Sequence, residues 1–336
     1  MKEILKKTLP VNMVNHISVV KTYFGFGKKP SFQMKRFARS YAKRTSCKKE
    51  HIETHIIFLT HQIEKGLSHR NFRYGFGMKV IKQLAVLLPK LRQIDEEYSD
   101  NEVYRMAIAA LHHYKTKHED EHFDLSNVQS CFDEQTWHDI SKEDSNYGGV
   151  LTIEAKDKTK NASLTFPKLM ENRHSIREFA DEQVTAEEII PAIEMAMRTP
   201  SVCNRQPTRV RIITDQAILP KVMKLQGGMN GYPIPPAMIL VTADNQAFMD
   251  SIERNEGFVD GGLFSMSLLL ALESIGLAAC PLNTMMTIDR ENETRHLLGV
   301  PDNEFLVCIL RLDIFLKKYL LPFPIVLKQK ILFRLF

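Results

Sequence analysis

The stretch GFVDGGLFSMSLLLALESIG, residues 257–276, is nearly all apolar and is long enough for several helical turns. A helix that is apolar on every side has to be buried on every side. Gly276 is placed to end it, since glycine readily adopts the left-handed conformation that follows many helices. In a domain of ordinary size, this stretch predicts a central helix that is shared with a second copy of the chain.

Shorter helices and strands surround this central helix in the sequence. FPKLMENR, residues 166–173, is predicted to be a short helix, because a proline is tolerated in the first turn. Thr185 and Glu188 form a capping box in front of the apolar stretch IIPAIEMAMR. TRVRIIT, AMILVTA and FLVCILRL are typical of strands. The pattern over residues 163–313 therefore predicts an α+β domain.

The chain before this domain has a different pattern. Apolar residues recur at intervals of three and four over residues 56–67 and 78–91, which predicts helices. Residues 126–162 are polar and are typical of a linker or a long irregular connection. The predicted order is a helical region (1–125), a polar linker (126–162), the α+β domain (163–313) and a basic, apolar tail (314–336).

Composition narrows the class of protein. The chain has 336 residues, of which 44% are hydrophobic and 25% are charged, as in soluble globular proteins of about two domains. Its five cysteines are odd in number and lack CxxC spacing, which favours a reducing compartment over a disulfide framework or a zinc site. We find no leader pattern and no apolar stretch of roughly 18 residues that would span a bilayer. A cytoplasmic location is therefore expected.

The net charge of +5 is unevenly distributed. Residues 1–50 carry 13 Lys or Arg against 2 Glu, and residues 314–336 carry 5 against none, so the residues between them are acidic overall. A basic arm could contact nucleic acid or an anionic membrane. We favour the simpler interpretation, in which the arm packs on the acidic body or presents a solvated helix face, and we predict no nucleic-acid partner.

Three short motifs in the α+β domain have the chemistry of a ligand site. RHSIREF, residues 173–179, places two guanidinium groups around a serine, a combination suited to phosphate. PSVCNRQP, residues 200–207, is a loop of short polar side chains that could bond to a flat heteroaromatic edge. GLAACPLN, residues 276–283, follows the central helix and could turn backbone amides toward a ligand.

In this order and at these separations, the motifs resemble the nitroreductase family of flavin enzymes over about residues 163–313. The resemblance implies a mixed sheet flanked by helices, and a homodimer with FMN at its interface and NAD(P)H as the reductant. It implies that Arg173 and Ser175 bind the phosphate and ribityl chain, and that Arg177 lies beside the flavin edge where charge accumulates on reduction. The cofactor-binding residues implied in this way are Arg173, His174, Ser175, Arg177, Pro200, Ser201, Asn204, Gln206, Gln226, Asn230, Pro281, Leu282 and Asn283.

The helical region has a looser resemblance. HQIEKGLSHRNFRYGFG, residues 61–77, is similar to an extension found on nitroreductase-like proteins of bacterial polysaccharide gene clusters. The glycines of this stretch could allow a tight turn near the flavin, with Lys65 or Arg73 reaching an anionic group. The alternative, a helix cap followed by a loop, stays open.

The tail departs from the family pattern, which ends with a glycine-containing strand exit and a further basic phosphate ligand. LRLDIFLKKYLLPFPIVLKQKILFRLF has no acidic residue after Asp313. One interpretation is a membrane-binding tail, and the other is a terminus altered by a frameshift. We favour the second, because Pro322 and Pro324 interrupt an amphipathic helix.

The predicted activity is the reduction of a small organic acceptor, such as a nitro compound or a quinone, by ping-pong hydride transfer through FMN. The alternative is a flavin-binding or scaffold protein of polysaccharide biosynthesis that has no turnover. No side chain is predicted to act as a nucleophile or general base, because the flavin carries the chemistry. His118 and His122 have helical spacing but no complete ligand set, so we predict surface histidines and no metal site.

Overall fold

The structure is a computed structural model that describes residues 10–143, 147–178, 182–324 and 327. Its N-terminal part is helical, as predicted. The helices of this region are α1 (Val11–Ser40), α2 (Lys49–Leu67), α3 (Met78–Ile94), α4 (Glu102–Glu119), α5 (Ser126–Gln129) and α6 (Glu134–Lys142).

Helices α2, α3 and α4 form the core of the helical region. Ile56, Ile63 and Leu67 recur along one face of α2 at helical spacing and are fully buried. The side chain of Asn101 begins α4 by accepting hydrogen bonds from the backbone amides of Val103 and Tyr104. These helices bury enough apolar surface to form a core of their own.

The second part of the chain combines strands and helices. Its strands are β1 (Val150–Glu154), β2 (Thr208–Ile213), β3 (Ala237–Asp244), β4 (Leu277–Asn283), β5 (Glu304–Ile314) and β6 (Lys318–Pro322). Its helices are α7 (Phe166–Asn172), α8 (Ala186–Ala196), α9 (Leu219–Gln226), α10 (Glu256–Ser274) and α11 (Ile288–Leu298).

Four strands form the main sheet in the order β2-β3-β5-β4, with antiparallel neighbours throughout. One parallel bridge, from Ser175 to Ala279, extends the sheet beyond β4 and makes it mixed. Side chains alternate along β3, so that Ile239 packs on one face with α8 and α10 while Leu240 packs on the other face with α9. The predicted α+β fold with flanking helices is confirmed.

Helix α10 is the predicted central helix, and Leu268 and Leu272 on it are fully buried against the sheet. A side chain at Gly261 would lie 2.7 Å from Val307, so the glycine lets α10 approach β5 closely. In the single chain, Phe258 and Val259 on α10 remain about half exposed (51% and 53%), and the sharing of this helix with a second copy of the chain stays a prediction. This exposed face lies on the N-terminal half of the helix.

The expectation that no stretch is long and apolar enough to span a bilayer also needs correction. By length and composition alone, α10 meets that criterion. More than half of it is buried within the domain, and it packs against α8, β3 and β4. This burial and packing indicate a core helix.

The segment predicted as a polar linker, residues 126–162, contains α5, α6 and β1 in the structure. A few well-spaced apolar residues account for this difference, since Val128, Ile140 and Ile153 are buried although most of their neighbours are polar. Strand β1 pairs with β6 in a separate two-stranded antiparallel sheet, and α2 packs against β6. This ribbon joins the helical region to the α+β domain.

The predicted tail begins within the fold. Phe315, Tyr319 and Leu321 are buried against Ile153 and Ile176, so these three residues belong to the core of the ribbon. Residues 325–326 and 328–336, on which most of the frameshift and membrane interpretations depend, lie outside the described residues, and so do residues 1–9 of the basic arm.

Candidate functional site

The RHSIREF motif lies along the outer edge of the main sheet. Helix α7 ends at Asn172, and the Ser175 bridge to Ala279 then places the next residues beside β4. The amide of Ile176 donates to the carbonyl of Ala279 over 3.0 Å, and the Ile176 side chain is fully buried. The motif is thus fixed by backbone pairing and by one apolar anchor, while the arginines on either side are half-buried.

Arg177 is held between the two parts of the chain. One Nη atom donates to the carbonyl of Ser175 over 3.3 Å, and the other lies 3.4 Å from Nε2 of His61 on α2. The guanidinium of Arg311 on β5 donates to the Arg177 carbonyl over 3.2 Å, which fixes the backbone from below. Among the described residues, Arg177 forms no ion pair with a carboxylate.

Lys65 on α2 contributes a second cation near Arg177. Its Nζ donates to the carbonyl of Gly228 over 3.0 Å and lies 5.7 Å from the centre of the Tyr232 ring. Burial lowers the pKa of Lys65, and the charge of Arg177 lowers it further. We refer to Lys65 and Arg177 together as the Lys65–Arg177 site.

Two buried carboxylates lie close to this site, and each accepts a hydrogen bond from a backbone amide. Glu64 accepts the amide of Gly149 over 3.2 Å, and burial raises the pKa of its carboxyl group. Glu178 accepts the amide of Arg70 over 3.1 Å and lies 3.5 Å from His69. The positive charge of the Lys65–Arg177 site is therefore not matched by a direct carboxylate contact among the described residues.

Arg173 and His174 face a different group of polar residues. Lys158 forms a buried ion pair of 2.7 Å with Glu273, and the amide of Asn161 donates to the same carboxylate oxygen over 2.9 Å. His174 lies beside them, with Nδ1 2.7 Å from the Asn172 carbonyl. Burial, with the charge of Lys158 as the second cause, lowers the pKa of His174 to about 4. We refer to Lys158, Asn161, His174 and Glu273 as the Lys158 cluster.

The GLAACPLN motif forms β4. Pro281 and Asn283 are exposed while Leu282 is buried, as expected for alternation along an edge strand. The Gln226 amide donates to the Asn283 carbonyl over 3.2 Å and its oxygen accepts the Gly228 amide, so this side chain ties the 226–232 loop to β4. Beyond Ala279, no described strand pairs with the outer edge of β4.

A cleft of 540 Å³ opens between the α2–α3 connection and the loop that follows α9. Its walls combine cationic, amide and aromatic side chains, and the described residues that line it include no acidic residue. They are Gln62, Lys65, Gly66, His69, Asn71, Arg73, Phe76, Asn230, Gly231 and Tyr232.

The PSVCNRQP loop lies at a separate cavity of 190 Å³, which Pro200, Ser201 and Gln206 line and which shares no lining residue with the cleft. Three non-glycine residues of the loop, Cys203, Asn204 and Gln206, have positive φ angles of 48°, 54° and 49°. This conformation is uncommon for such residues and is often found at functional sites. Asn204 and Gln206 are hydrogen-bonded to each other over 2.9 Å and are exposed.

The sequence-predicted residues therefore fall into three places. Ser175, Arg177, Gln226, Pro281, Leu282 and Asn283 meet along β4, and Asn230 lines the cleft beside them. Arg173 and His174 lie next to the Lys158 cluster, and the 200–207 loop lies apart from both.

Several residues around the site were not predicted from the sequence. His69 stacks on Tyr232 with ring centres 3.9 Å apart, and Glu178 and Arg311 are buried within the α+β domain. Isolated charged residues in apolar strands, such as Arg311 in FLVCILRL, were the available signal. The prediction that His118 is a surface residue is wrong, because it is fully buried and its Nε2 accepts the Gly75 amide over 2.9 Å.

The arginines of the RHSIREF motif and the outer edge of β4 suit an anionic, flat cofactor. Guanidinium groups without carboxylate partners favour phosphate or a negatively charged ring edge, and an unpaired strand edge presents backbone groups to a heteroaromatic ligand. Arg173, Ser175 and Arg177 could hold an anionic cofactor such as FMN, and Pro281 and Asn283 are the exposed residues of β4 beside them. The residues present thus fit FMN.

Comparison with known proteins gives the class of this domain. Residues 170–238 and 234–312 match the model of the Nitroreductase family, so the chain contains a nitroreductase family domain, and its fold is nitroreductase-like. Residues before 170, which include the helical region, lie outside the match.

Individual relatives each match part of the chain. An Archaeoglobus fulgidus protein named "Putative NADH dehydrogenase/NAD(P)H nitroreductase" is 28% identical over 136 residues, which is 40% of this chain and 77% of that protein. A Bacillus subtilis protein named FMN reductase [NAD(P)H] is 26% identical, over 35% of this chain and 53% of that protein. A crystal structure of a Parabacteroides distasonis protein with the same name as the first has 26% identity and a TM-score of 0.45, covering 51% of this chain and 98% of that one.

Proposed function

We propose that this protein is an FMN-dependent oxidoreductase that uses NAD(P)H to reduce a small organic acceptor, such as a nitro compound or a quinone, by ping-pong hydride transfer. The observation that carries the proposal is the position of Arg177, which is held at the edge of β4 without a carboxylate partner among the described residues. The family match and the names of the relatives support the same chemistry.

In this proposal the protein binds and orients the reactants. Bound FMN would supply the two-electron chemistry, by accepting a hydride from NAD(P)H and passing it to the acceptor. Arg177 stabilises negative charge at the ring, and Arg311 keeps Arg177 in place through its backbone carbonyl. Pro281 and Asn283 are exposed on β4, so this side of the strand is available to the flavin ring.

We also propose a homodimer in which the 200–207 loop reaches the flavin of the partner subunit. The loop lies apart from Arg177 within one chain, yet its strained residues are exposed. The exposed face of α10, with Phe258, Val259 and Leu263 about half exposed, offers apolar surface for such an interface. Light scattering of the purified protein tests the oligomeric state. The cytoplasmic location and the link to polysaccharide biosynthesis stay predictions.

The first test is the visible absorption spectrum of purified, undialysed protein, with the released chromophore identified by chromatography. We expect a flavin spectrum, about one FMN per subunit, and NAD(P)H oxidation with menadione or a nitroaromatic acceptor. Bound flavin without turnover would instead favour a flavin-binding protein without catalysis. A colourless protein that takes up no added FMN would overturn the proposal.

A further inference from the structure

We propose that the cleft between the helical region and the α+β domain binds the acceptor substrate, and that this substrate is an organic anion carrying a carboxylate or phosphate. The inference rests on the proposed flavin chemistry for the neighbouring site. It goes further by assigning the cleft, and the charge of the substrate, to residues that lie largely outside the family match.

The charge of the cleft is the first argument. Lys65 and Arg73 are cationic, Gln62, Asn71 and Asn230 provide amide groups, and the described lining residues include no acidic residue to neutralise the cations. An ammonium group has three donors, and Gly228 supplies the hydrogen-bond acceptor that the structure shows for Lys65. Donors therefore remain for a ligand.

The second argument is that the cleft is rigidly built. A side chain at Gly66 would collide with the ring of Phe76, so this glycine allows the ring to form part of the wall. Gly75 has a φ of 72° and donates its amide to the buried His118, which fixes the α2–α3 connection to α4. His69 stacks on Tyr232 across the cleft. A preformed site loses less conformational entropy when a ligand binds.

The third argument is electrostatic. Lys65 is close enough to Arg177 for the charge of Arg177 to lower its pKa. An anionic acceptor that approaches a reduced, negatively charged flavin is repelled by it, and the repulsion is larger in a partly buried cleft than in water. Lys65 and Arg73 offset that repulsion. A neutral acceptor would need neither cation.

The test compares two acceptors that differ mainly in charge, 4-nitrobenzoate and 4-nitrobenzamide. The double variant Lys65→Met/Arg73→Gln keeps long side chains but removes both charges, and Lys82→Met, which removes an exposed charge from α3 outside the cleft, serves as the control. Because the two half-reactions of a ping-pong enzyme can be measured separately, flavin reduction by NADH and NADPH and reoxidation by each acceptor are followed in turn.

We expect the double variant to keep its flavin and its rate of flavin reduction. Its apparent affinity for 4-nitrobenzoate should fall about 30-fold or more, as expected for the loss of charge-assisted contacts, and that for 4-nitrobenzamide by less than about threefold. Calorimetric binding of benzoate, which requires no turnover, should weaken in parallel. The control should match the wild-type protein in all three measurements.

Three results would overturn the inference. Equal losses of apparent affinity for both acceptors would show that the cleft does not distinguish acceptors by charge. Loss of bound FMN would assign Lys65 and Arg73 to the cofactor site. A slower reaction with NADPH alone would assign them to the phosphate of the reductant. If the wild-type protein holds no flavin, the proposed function fails, and benzoate binding to the wild-type protein and the double variant still decides whether the cleft is an anion site.

Discussion

Two lysines of this protein are placed near the same sheet edge but have different surroundings. Lys158 is buried with a carboxylate at 2.7 Å, an asparagine and a histidine, and its charge is matched within the Lys158 cluster. Lys65 lies near Arg177, makes one hydrogen bond to a backbone carbonyl and has no ion pair among the described residues. A buried charge that is matched supports the fold, whereas an unmatched, half-buried charge is suited to a ligand.

The difference also separates the two arginines of the RHSIREF motif. Arg173 is half-buried, and its charge acts on Lys158, His174 and Glu273, so this residue lies near the Lys158 cluster. Arg177 instead contacts His61 of α2 and belongs with Lys65. One cofactor that touched both arginines would therefore extend from the Lys158 cluster to Arg177.

The largest expected effect is on FMN binding. Changing Arg173 and Arg177 together to alanine should weaken FMN binding by roughly 100-fold or more, since each charge-assisted hydrogen bond contributes about 1.5–3 kcal/mol. Fluorescence quenching of added FMN measures the affinity. The matched control, Arg36→Ala/Arg39→Ala, removes two exposed arginines from α1. Unchanged FMN affinity in the first variant would show that these arginines do not hold the cofactor.

The next effect is on stability. Lys158→Met should lower the free energy of unfolding by about 3 kcal/mol, because it leaves the buried carboxylate of Glu273 without its cation. Urea unfolding of the flavin-free protein measures the change. The double variant Lys158→Met/Glu273→Gln should recover part of the loss, since it removes the unpaired charge as well. A loss of less than about 1 kcal/mol in the single variant would mean that the pair contributes little to the fold.

A smaller effect depends on pH and tests whether His174 belongs to the Lys158 cluster. Burial lowers the pKa of His174 to about 4, so between the ordinary value near 6.5 and pH 4 the unfolded chain binds a proton that the folded chain excludes. The free energy of unfolding should therefore fall as the pH drops through this window, by about 2 kcal/mol from this residue. Urea unfolding of the flavin-free protein at pH 7 and pH 4.5 should show a smaller drop in His174→Asn, and an identical drop would contradict the assignment.

Much of the fold could be predicted from the sequence because its signals are local. The Thr185–Glu188 capping box forms as predicted, and the apolar spacing of Ile56, Ile63 and Leu67 gives the buried face of α2. Strands β2, β3 and β5 follow the predicted apolar stretches closely. These elements depend on side-chain periodicity and capping, which neighbouring residues determine.

The errors and omissions depend on distant contacts. His118 looks like a surface residue because charged residues surround it in sequence, yet it is buried by aromatic residues of the α2–α3 connection and by Phe123, which follows α4. Lys65 is a helix residue whose position near Arg177 follows from the packing of α2 on the β1–β6 ribbon. Neither the match of Lys158 to Glu273, 115 positions apart, nor the lack of such a match at Lys65 can be read from the sequence.

The smallest expected effect sharpens the comparison most directly. Lys65→Met makes the same substitution as Lys158→Met, but it should change the free energy of unfolding of the flavin-free protein by no more than about 1 kcal/mol. The variant loses the hydrogen bond to Gly228. It also no longer holds a partly buried positive charge close to Arg177, and removing the burial cost and the repulsion, which both lower the pKa of Lys65, offsets that loss. Parallel urea unfolding of the two variants measures the contrast.

Benzoate then separates a ligand site from a tolerated lysine. A ligand that binds only the folded protein stabilises it by an amount that grows with the logarithm of its concentration over its Kd, so the same excess of benzoate should stabilise the wild-type protein and Lys158→Met more than Lys65→Met. Equal stabilisation of all three proteins would mean that Lys65 is an ordinary half-buried lysine. A loss in Lys65→Met as large as that in Lys158→Met would mean that an unmatched cation at this interface holds the two parts of the chain together, and the distinction between the two lysines would fail.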